Sequence, residues 1–99
     1  MQNKVVVQKW GESERGWGNR PDGYSLHLTE AHRVAYINEY WDDMPDETPD
    51  EYSYPNGTPY EAEVDVKVFA KVKASKHGIR RNSNDYPGSG GTDGWIKSK

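Results

Sequence analysis

Six carboxylates within ten residues are the densest group of chemically active side chains in this sequence. They are Asp42, Asp43, Asp46, Glu47, Asp50 and Glu51, and no Lys or Arg interrupts them. Hard oxygen ligands this close together could approach one calcium or magnesium ion. Their spacing does not match the D-x-D-x-D-G order, with a Glu at the twelfth position, of an EF-hand loop. Since an acidic run is usually a solvated surface, we expect no metal site here.

The three histidines do not form a catalytic or metal-binding pattern. His27, His32 and His77 lack the H-E-x-x-H spacing of zinc proteases. Strand alternation puts His27 on the face opposite Leu26 and Leu28, and helical period puts His32 on a polar face, so both are interpreted as surface residues. No serine lies in a G-x-S-x-G context. We therefore expect a protein that is not an enzyme and needs no cofactor.

A basic segment runs from residue 67 to residue 81. Its cations, which no acid interrupts, are Lys67, Lys71, Lys73, Lys76, Arg80 and Arg81. Guanidinium groups pair bidentately with phosphate, so Arg80 and Arg81 could hold an anionic, nucleotide-like molecule. Trp17 and Tyr86 could stack on its rings. An oligomeric small-ligand sponge of this kind is the alternative function. Nucleic acid is disfavoured as a ligand, because the acidic segment would repel a polyanion at close range.

The acidic segment breaks a local rule that proteins usually follow. Asp42 and Asp43 lie at the C-terminal end of a predicted helix, where the dipole favours cations by about 0.3–1 kcal/mol each. Such unfavourable local choices are often functional. Tyr52 and Tyr54 follow closely, and aromatic residues are enriched at protein interfaces. The sequence therefore predicts a partner-binding surface, here called the acidic surface: Tyr40, Asp42, Asp43, Asp46, Glu47, Asp50, Glu51, Tyr52 and Tyr54.

The acidic surface has more than one interpretation. It could engage a basic partner protein or mimic a phosphate backbone. The basic segment of the same chain could instead lie alongside and neutralise it. In a third interpretation, the acidic and basic segments pair between subunits and give a homo-oligomer.

The clearest structural signal is a short strand that runs directly into an amphipathic helix. Apolar residues recur at spacings of three and four, in what we call the apolar stripe: Val34, Ile37, Trp41 and Met44, with Tyr40 beside them. This period predicts a helix over residues 29–44. Thr29 is a suitable N-cap, and Pro45 ends the helix. Before the cap, Tyr24 alternates with polar residues as in a strand.

The other elements are assigned from strand period and turn residues. Residues 4–10 form a β-branched run, which predicts a strand. Residues 11–23 are glycine-rich and are predicted to form a long loop, with Trp17 as a lid over the core. Valines alternate with charged residues over 60–75, which predicts a long strand, although a helix from 69 to 76 stays open. The turn-rich tail from about residue 82 is expected to be mobile.

Together these segments predict a small α+β fold in a single domain, residues 1–99. We expect a three- to four-stranded, mainly antiparallel sheet with one amphipathic helix (29–44) packed on one face. The hydrophobic fraction is only 32%, so the four Trp and seven Tyr must supply much of the core. The lack of Cys excludes disulfides and zinc–thiolate sites. No apolar run approaches the roughly 18 residues of a membrane span, so we expect a cytoplasmic protein that does not contact a membrane.

In size, acidity, lack of Cys and aromatic content, the chain resembles the small accessory proteins that phages encode to disarm host systems. That resemblance implies an inhibitory, anti-defence role against a host protein. Our first function hypothesis is therefore a small, non-catalytic binding or inhibitory module that engages a partner protein through the acidic surface.

Overall fold

The computed structural model describes residues 3–14, 18–47, 49 and 51–81. In chain order their elements are β1 (Lys4–Glu14), β2 (Gly18–His27), α1 (Glu30–Asp42), β3 (Glu51–Pro55), β4 (Tyr60–Glu63), α2 (Val66–Ala74) and β5 (Ile79–Arg81). The strands form one antiparallel sheet in the order β3-β1-β2-β5, with β4 also paired to β1. The predicted α+β class is confirmed, with an additional helix. No helix in these described segments is long and apolar enough to cross a membrane.

The centre of the sheet is the hairpin of β1 and β2. β1 pairs with β2 along one edge and with both β3 and β4 along the other. The loop predicted over 11–23 is wrong for residues 11–14 and 18–23, because pairing continues from Gly11 opposite Pro21 to Glu14 opposite Gly18. The same stretch of β1 also pairs with β3. Backbone hydrogen bonds to two neighbours therefore hold a polar, glycine-containing segment in a strand despite its weak strand propensity.

The two faces of the sheet have different chemistry. One face is apolar, and its buried cluster contains Val5, Val7, Tyr24, Leu26, Val64, Val68 and Val72. The opposite face carries four side chains that are at most 1% exposed, here called the polar layer: Gln8, Trp10, Ser25 and His27. Residues of α2 pack on the apolar face, and residues of α1 contact the polar layer. Each helix thus covers one face of the sheet.

The long strand predicted over 60–75 is wrong beyond Glu63, because the chain forms α2 there. The helix left open for 69–76 is the alternative that the structure supports, and it begins earlier, at Val66. The Asp65 carboxylate caps the helix by accepting a hydrogen bond from the Lys67 backbone N–H at 2.7 Å. Val68 and Val72 lie one turn apart and are both buried against the sheet. The valines fit the strand period better than the helical period, so the burial of one helical side, and not the local pattern, decided for a helix.

α1 begins where the sequence predicts, but it packs through a different face. Thr29 Oγ1 accepts from the His32 backbone N–H at 3.2 Å, so Thr29 is the N-cap. The residues that contact the polar layer are Arg33, Tyr36 and Tyr40. They lie one residue, or about 100°, away from the apolar stripe. As a result Val34 remains 42% exposed and Trp41 40% exposed. A polar sheet face takes hydrogen-bonding partners in preference to aliphatic ones.

Candidate functional site

The polar layer contains a continuous chain of buried hydrogen bonds. Trp10 Nε1 donates to Ser25 Oγ at 2.7 Å, and Ser25 Oγ lies 2.7 Å from His27 Nε2. His27 Nδ1 lies 2.8 Å from the carbonyl oxygen of His77. A carbonyl only accepts, so Nδ1 carries the proton and Nε2 accepts from the Ser25 hydroxyl. Every polar atom of this chain therefore has a partner.

His27 is a neutral interior residue. Burial lowers its pKa from 6.5 to about 4, against the opposing effect of the hydrogen bond to His77. The interpretation of His27 as a surface residue is wrong, because α1 covers the strand face on which it lies. Ser25 and His27 have the spacing of a nucleophile and its base, but both side chains are 0% exposed. We assign the pair a structural role, because no substrate can reach it.

Arg80 is held by contacts inside the protein. Its Nη2 lies 2.8 Å from Asp22 Oδ2, which also accepts from Ser53 Oγ at 2.6 Å. Its guanidinium carbon lies 4.3 Å from the centre of the Trp10 ring. A phosphate at Arg80 would have to compete with this carboxylate and this ring. Arg81 lies next to it on β5, opposite Tyr24.

The other two residues of the predicted anion site, Trp17 and Tyr86, lie outside the described residues. So do the predicted mobile tail from about residue 82, Asp50 of the acidic surface, and the side chain of Glu51.

Part of the acidic surface forms a cleft between α1 and β3. The cleft has a volume of about 420 Å³, and we call it the Tyr52 cleft. It is lined by Glu12, Tyr40, Asp43, Met44, Pro45, Pro49, Tyr52 and Ser53. The Tyr40 hydroxyl donates to the Ser53 carbonyl at 2.7 Å, which ties α1 to β3 beneath the cleft. The structure thus brings Tyr40, Asp43 and Tyr52 of the acidic surface together in one cleft.

The other described members of the acidic surface are divided between the surrounding surface and the sheet. Asp42, Asp46 and Glu47 are exposed and close to the cleft in sequence. Tyr54 packs over Gly11, where a Cβ would lie 2.9 Å from the Tyr54 ring. Tyr54 therefore has a packing role, and Gly11 is the residue that allows this close contact.

The basic segment does not neutralise the acidic surface. Among the described residues, no cation pairs with Asp42, Asp43, Asp46 or Glu47. The one lysine of the segment that forms an ion pair is Lys76, whose Nζ lies 3.5 Å from Glu39 Oε2. Glu12, at the wall of the Tyr52 cleft, is paired with Arg20. The intramolecular neutralisation that the sequence left open is therefore wrong for the described residues.

A second cleft lies on the other side of Tyr40. It has a volume of about 250 Å³, and we call it the Glu39 cleft. It is lined by Tyr36, Glu39, Tyr40, Asp43, His77 and Gly78. Burial raises the pKa of Tyr36, so its hydroxyl stays protonated. The two clefts share Tyr40 and Asp43, so both open beside the C-terminal half of α1.

Sequence reasoning missed the Glu39 cleft. A signal for it existed, because residues 36, 39, 40 and 43 follow helical spacing and lie on one side of α1. His77 and Gly78 could not be placed beside them without the tertiary structure. In the described parts of the chain, no three metal-ligating side chains lie close enough to hold an ion.

Comparisons with known proteins give no assignment. No family model matches the chain, and the searches of curated proteins and of solved structures find no match.

Proposed function

We propose that this protein is a non-catalytic binding module that engages a basic segment of a partner protein. The contact surface is the Tyr52 cleft with the exposed acids around it. The observation that carries the proposal is this cleft, in which aromatic and apolar walls lie beside carboxylates that the described chain leaves unpaired.

The walls of the Tyr52 cleft have the composition of an interface core. Tyr40 and Tyr52 contribute rings, and Met44, Pro45 and Pro49 contribute apolar surface. Tyrosine and methionine are enriched in the cores of protein interfaces. Anchoring residues of a partner usually fill concave, well-packed sites of this kind.

The apolar stripe extends this surface along α1. Trp41 is 40% exposed, and its ring contacts Tyr40 at a centroid distance of 5.1 Å. Val34 lies two turns earlier and is 42% exposed. Neither side chain is needed to cover the sheet, because Tyr36 and Tyr40 do this. Exposed apolar residues next to a cleft favour a protein partner over a purely electrostatic one.

The charge around the cleft selects the chemistry of the partner. Asp42 and Asp43 lie at the negative end of the α1 dipole, where they destabilise the helix. A basic segment bound there would relieve this repulsion and would be attracted from a distance at low salt. The proposal therefore commits to a partner segment that carries Lys or Arg beside apolar residues. An inhibitory module of the phage accessory type would act through the same surface.

Site-specific crosslinking tests the proposal. The photo-reactive residue p-benzoylphenylalanine replaces Tyr52 in one variant and Tyr60 in another, and each is irradiated in lysate of the source cells. Tyr60 is a matched control, because it is a tyrosine that is 38% exposed and lies on β4, away from the cleft. We expect one defined protein crosslinked to the Tyr52 variant and absent from the Tyr60 variant. Equal crosslinking by both variants, or none by the Tyr52 variant, would contradict the proposal.

The charge requirement is tested on the captured partner. Asp43→Asn combined with Asp46→Asn should weaken binding roughly tenfold, which corresponds to about 1.4 kcal/mol. Glu61→Gln combined with Glu63→Gln removes the same charge from β4 and should leave the affinity within about twofold. Isothermal titration calorimetry at two salt concentrations measures both. An equal loss of affinity in the two double variants would show that net charge, and not the cleft, determines binding.

A further inference from the structure

The Glu39 cleft shares Tyr40 and Asp43 with the Tyr52 cleft, but Tyr36, Glu39, His77 and Gly78 are not part of the proposed partner contact. We propose that the Glu39 cleft is a subsite for an organic cation, a guanidinium or alkylammonium group. The cation would lie between the carboxylates of Glu39 and Asp43 and the rings of Tyr36 and Tyr40. This inference does not depend on the partner protein proposed above, because the site is on the other side of Tyr40 from Tyr52.

The electrostatics of the cleft favour a positive charge. Glu39 and Asp43 are four residues apart on α1, so their side chains are neighbours on one side of the helix. Both lie in its C-terminal part, where the helix dipole is negative. Two like charges in this position repel one another, and a cation between them would remove that repulsion.

The rings in the cleft are held in fixed positions. Tyr36 and Tyr40 each meet Trp10 edge to face, with centroid distances of 6.2 and 5.0 Å. The Tyr40 hydroxyl is also fixed by its hydrogen bond to Ser53. Cations are attracted to the faces of such rings. A site that is already ordered loses little conformational entropy when a ligand binds.

Two side chains of the protein itself already approach the Glu39 carboxylate. Lys76 Nζ and His77 Nε2 each lie 3.5 Å from the same oxygen, Glu39 Oε2. This distance is longer than a good hydrogen bond, and the Lys76 side chain is 76% exposed. Lys76 is therefore a weak internal occupant that a planar guanidinium, with paired N–H donors, can displace.

The size of the cleft limits the ligand. A volume of about 250 Å³ is smaller than the 300–1,000 Å³ typical of pockets for drug-sized ligands. It suits a side chain or a small amine and is too small for a nucleotide. The same chemistry is supplied by an Arg or Lys side chain of a polypeptide and by a free small cation.

The test is a titration of the full-length, isotope-labelled protein, followed by NMR of the backbone amides. The probes are N-acetyl-arginine amide and N-acetyl-citrulline amide, in which a neutral urea replaces the guanidinium. We expect saturable shifts at the α1 residues Glu39 to Asp43 and at Gly78 with the arginine probe. No saturable shift is expected with citrulline. Equal binding of the two probes would overturn the proposal.

Two variants should change the affinity in opposite directions. Lys76→Ala removes the internal competitor and should tighten binding of the arginine probe about threefold. Glu39→Gln removes the main carboxylate and should weaken it about fivefold or more. Glu61→Gln, at an exposed acid on β4 that does not line the cleft, should leave it unchanged. Weaker binding by Lys76→Ala, or the same affinity for Glu39→Gln and wild type, would refute a cation site.

Two further probes identify the source of the cation. Tighter binding of the capped peptide Ala-Arg-Ala than of methylguanidinium would assign the site to a polypeptide side chain. Tighter binding of methylguanidinium would assign it to a free small cation. Either result supports the subsite. If Tyr52 crosslinking failed while the arginine probe bound, the proposed function would be wrong and the cation site would stand.

Discussion

Toward the sheet, α1 presents Arg33, Tyr36 and Tyr40, and each makes a specific contact. Arg33 donates to Gln8 Oε1 at 2.8 Å, and both tyrosine rings meet Trp10. Around its outer side and C-terminal end, the same helix presents exposed Trp41 and the exposed carboxylates of Asp42 and Asp43. The inner side is polar and only partly exposed, whereas the outer side is partly apolar but exposed. This arrangement is the reverse of an ordinary amphipathic helix.

The comparison separates residues that the fold needs from residues that it does not need. Buried polar groups are stable only when each has a partner, so the polar layer tolerates few changes. Outer residues such as Trp41 and Asp43 add little or no stability, so their presence favours a role in binding. Substitutions on the two sides should therefore differ in size and in sign.

Gly78→Ala should have the largest effect on stability. A Cβ at Gly78 would lie 2.4 Å from His27 Nδ1 and 2.5 Å from the Leu26 carbonyl oxygen, and the φ angle of +148° is unfavourable for Ala. Overpacking and backbone strain together should lower the free energy of unfolding by about 3 kcal/mol or more. Urea denaturation measures this. Gly57→Ala is the control, because Gly57 also has positive φ but open space around it, and it should lose only about 1 kcal/mol.

Acid should destabilise the protein through His27. The pKa of His27 is about 4 in the folded protein and 6.5 in the unfolded chain. Between these values the unfolded chain binds a proton that the folded protein does not, so stability is full above pH 6.5 and falls as the pH is lowered to 4. The loss should be roughly 3 kcal/mol over this window.

Urea denaturation at a series of pH values measures this dependence. His27→Gln is the control, because its slope between pH 4 and 6.5 should lack the contribution of His27. Identical slopes in the two proteins would show that His27 does not titrate with a lowered pKa.

Ser25→Ala should lower the stability of the protein nearly as much as acid does. The change removes one oxygen but leaves both Trp10 Nε1 and His27 Nε2 buried without a partner. We expect a loss of about 2 kcal/mol in the free energy of unfolding. Ser13→Ala, on the half-buried end of β1, is the matched control and should change stability by less than about 0.5 kcal/mol. A loss no larger than that of the control would mean that the chain of hydrogen bonds contributes little.

Neutralising the acids at the end of α1 should have the smallest effect and the opposite sign. Asp42→Asn combined with Asp43→Asn should raise the free energy of unfolding by about 0.5–1 kcal/mol, because the repulsion with the helix dipole is removed. The gain should shrink as salt is added. Asp46→Asn with Glu47→Gln, beyond the helix, should give almost no gain. Thermal melts at low ionic strength are the measurement, and a loss of stability would show that these acids do support the fold.

Local signals in the sequence were sufficient for some elements. Thr29 marks the start of α1, because its side chain can cap the first turn without any distant partner. The pair Asn56-Gly57 is a common turn signal and separates β3 from β4, and Gly57 has the positive φ of 84° that such a turn needs. The acidic surface was partly predictable. Tyr40 and Asp43 are less than one turn apart at the end of the predicted helix, and Tyr52 is close to them in the sequence.

Other features could not be predicted, because they depend on residues far apart in the sequence. His27 and Leu26 are both buried, which strand alternation alone cannot indicate, since a strand covered on two faces hides both sets of side chains. The valines of α2 are compatible with both the strand period and the helical period. Only the burial of Val68 and Val72 against the sheet decides for the helix.

The sequence by itself determined the α+β class, the start of α1, the Asn56-Gly57 turn and the separation of acidic from basic segments. These depend on capping, period and turn chemistry, which act over a few neighbouring residues. Only the tertiary structure decided that residues 11–14 and 18–23 continue the strands of a hairpin, that α1 packs through Tyr36 and Tyr40, and that His27 is an interior residue. The hydrogen bond of His27 joins it to a carbonyl 50 residues later in the chain. No local pattern records such a contact, because it exists only when the sheet and both helices are in place.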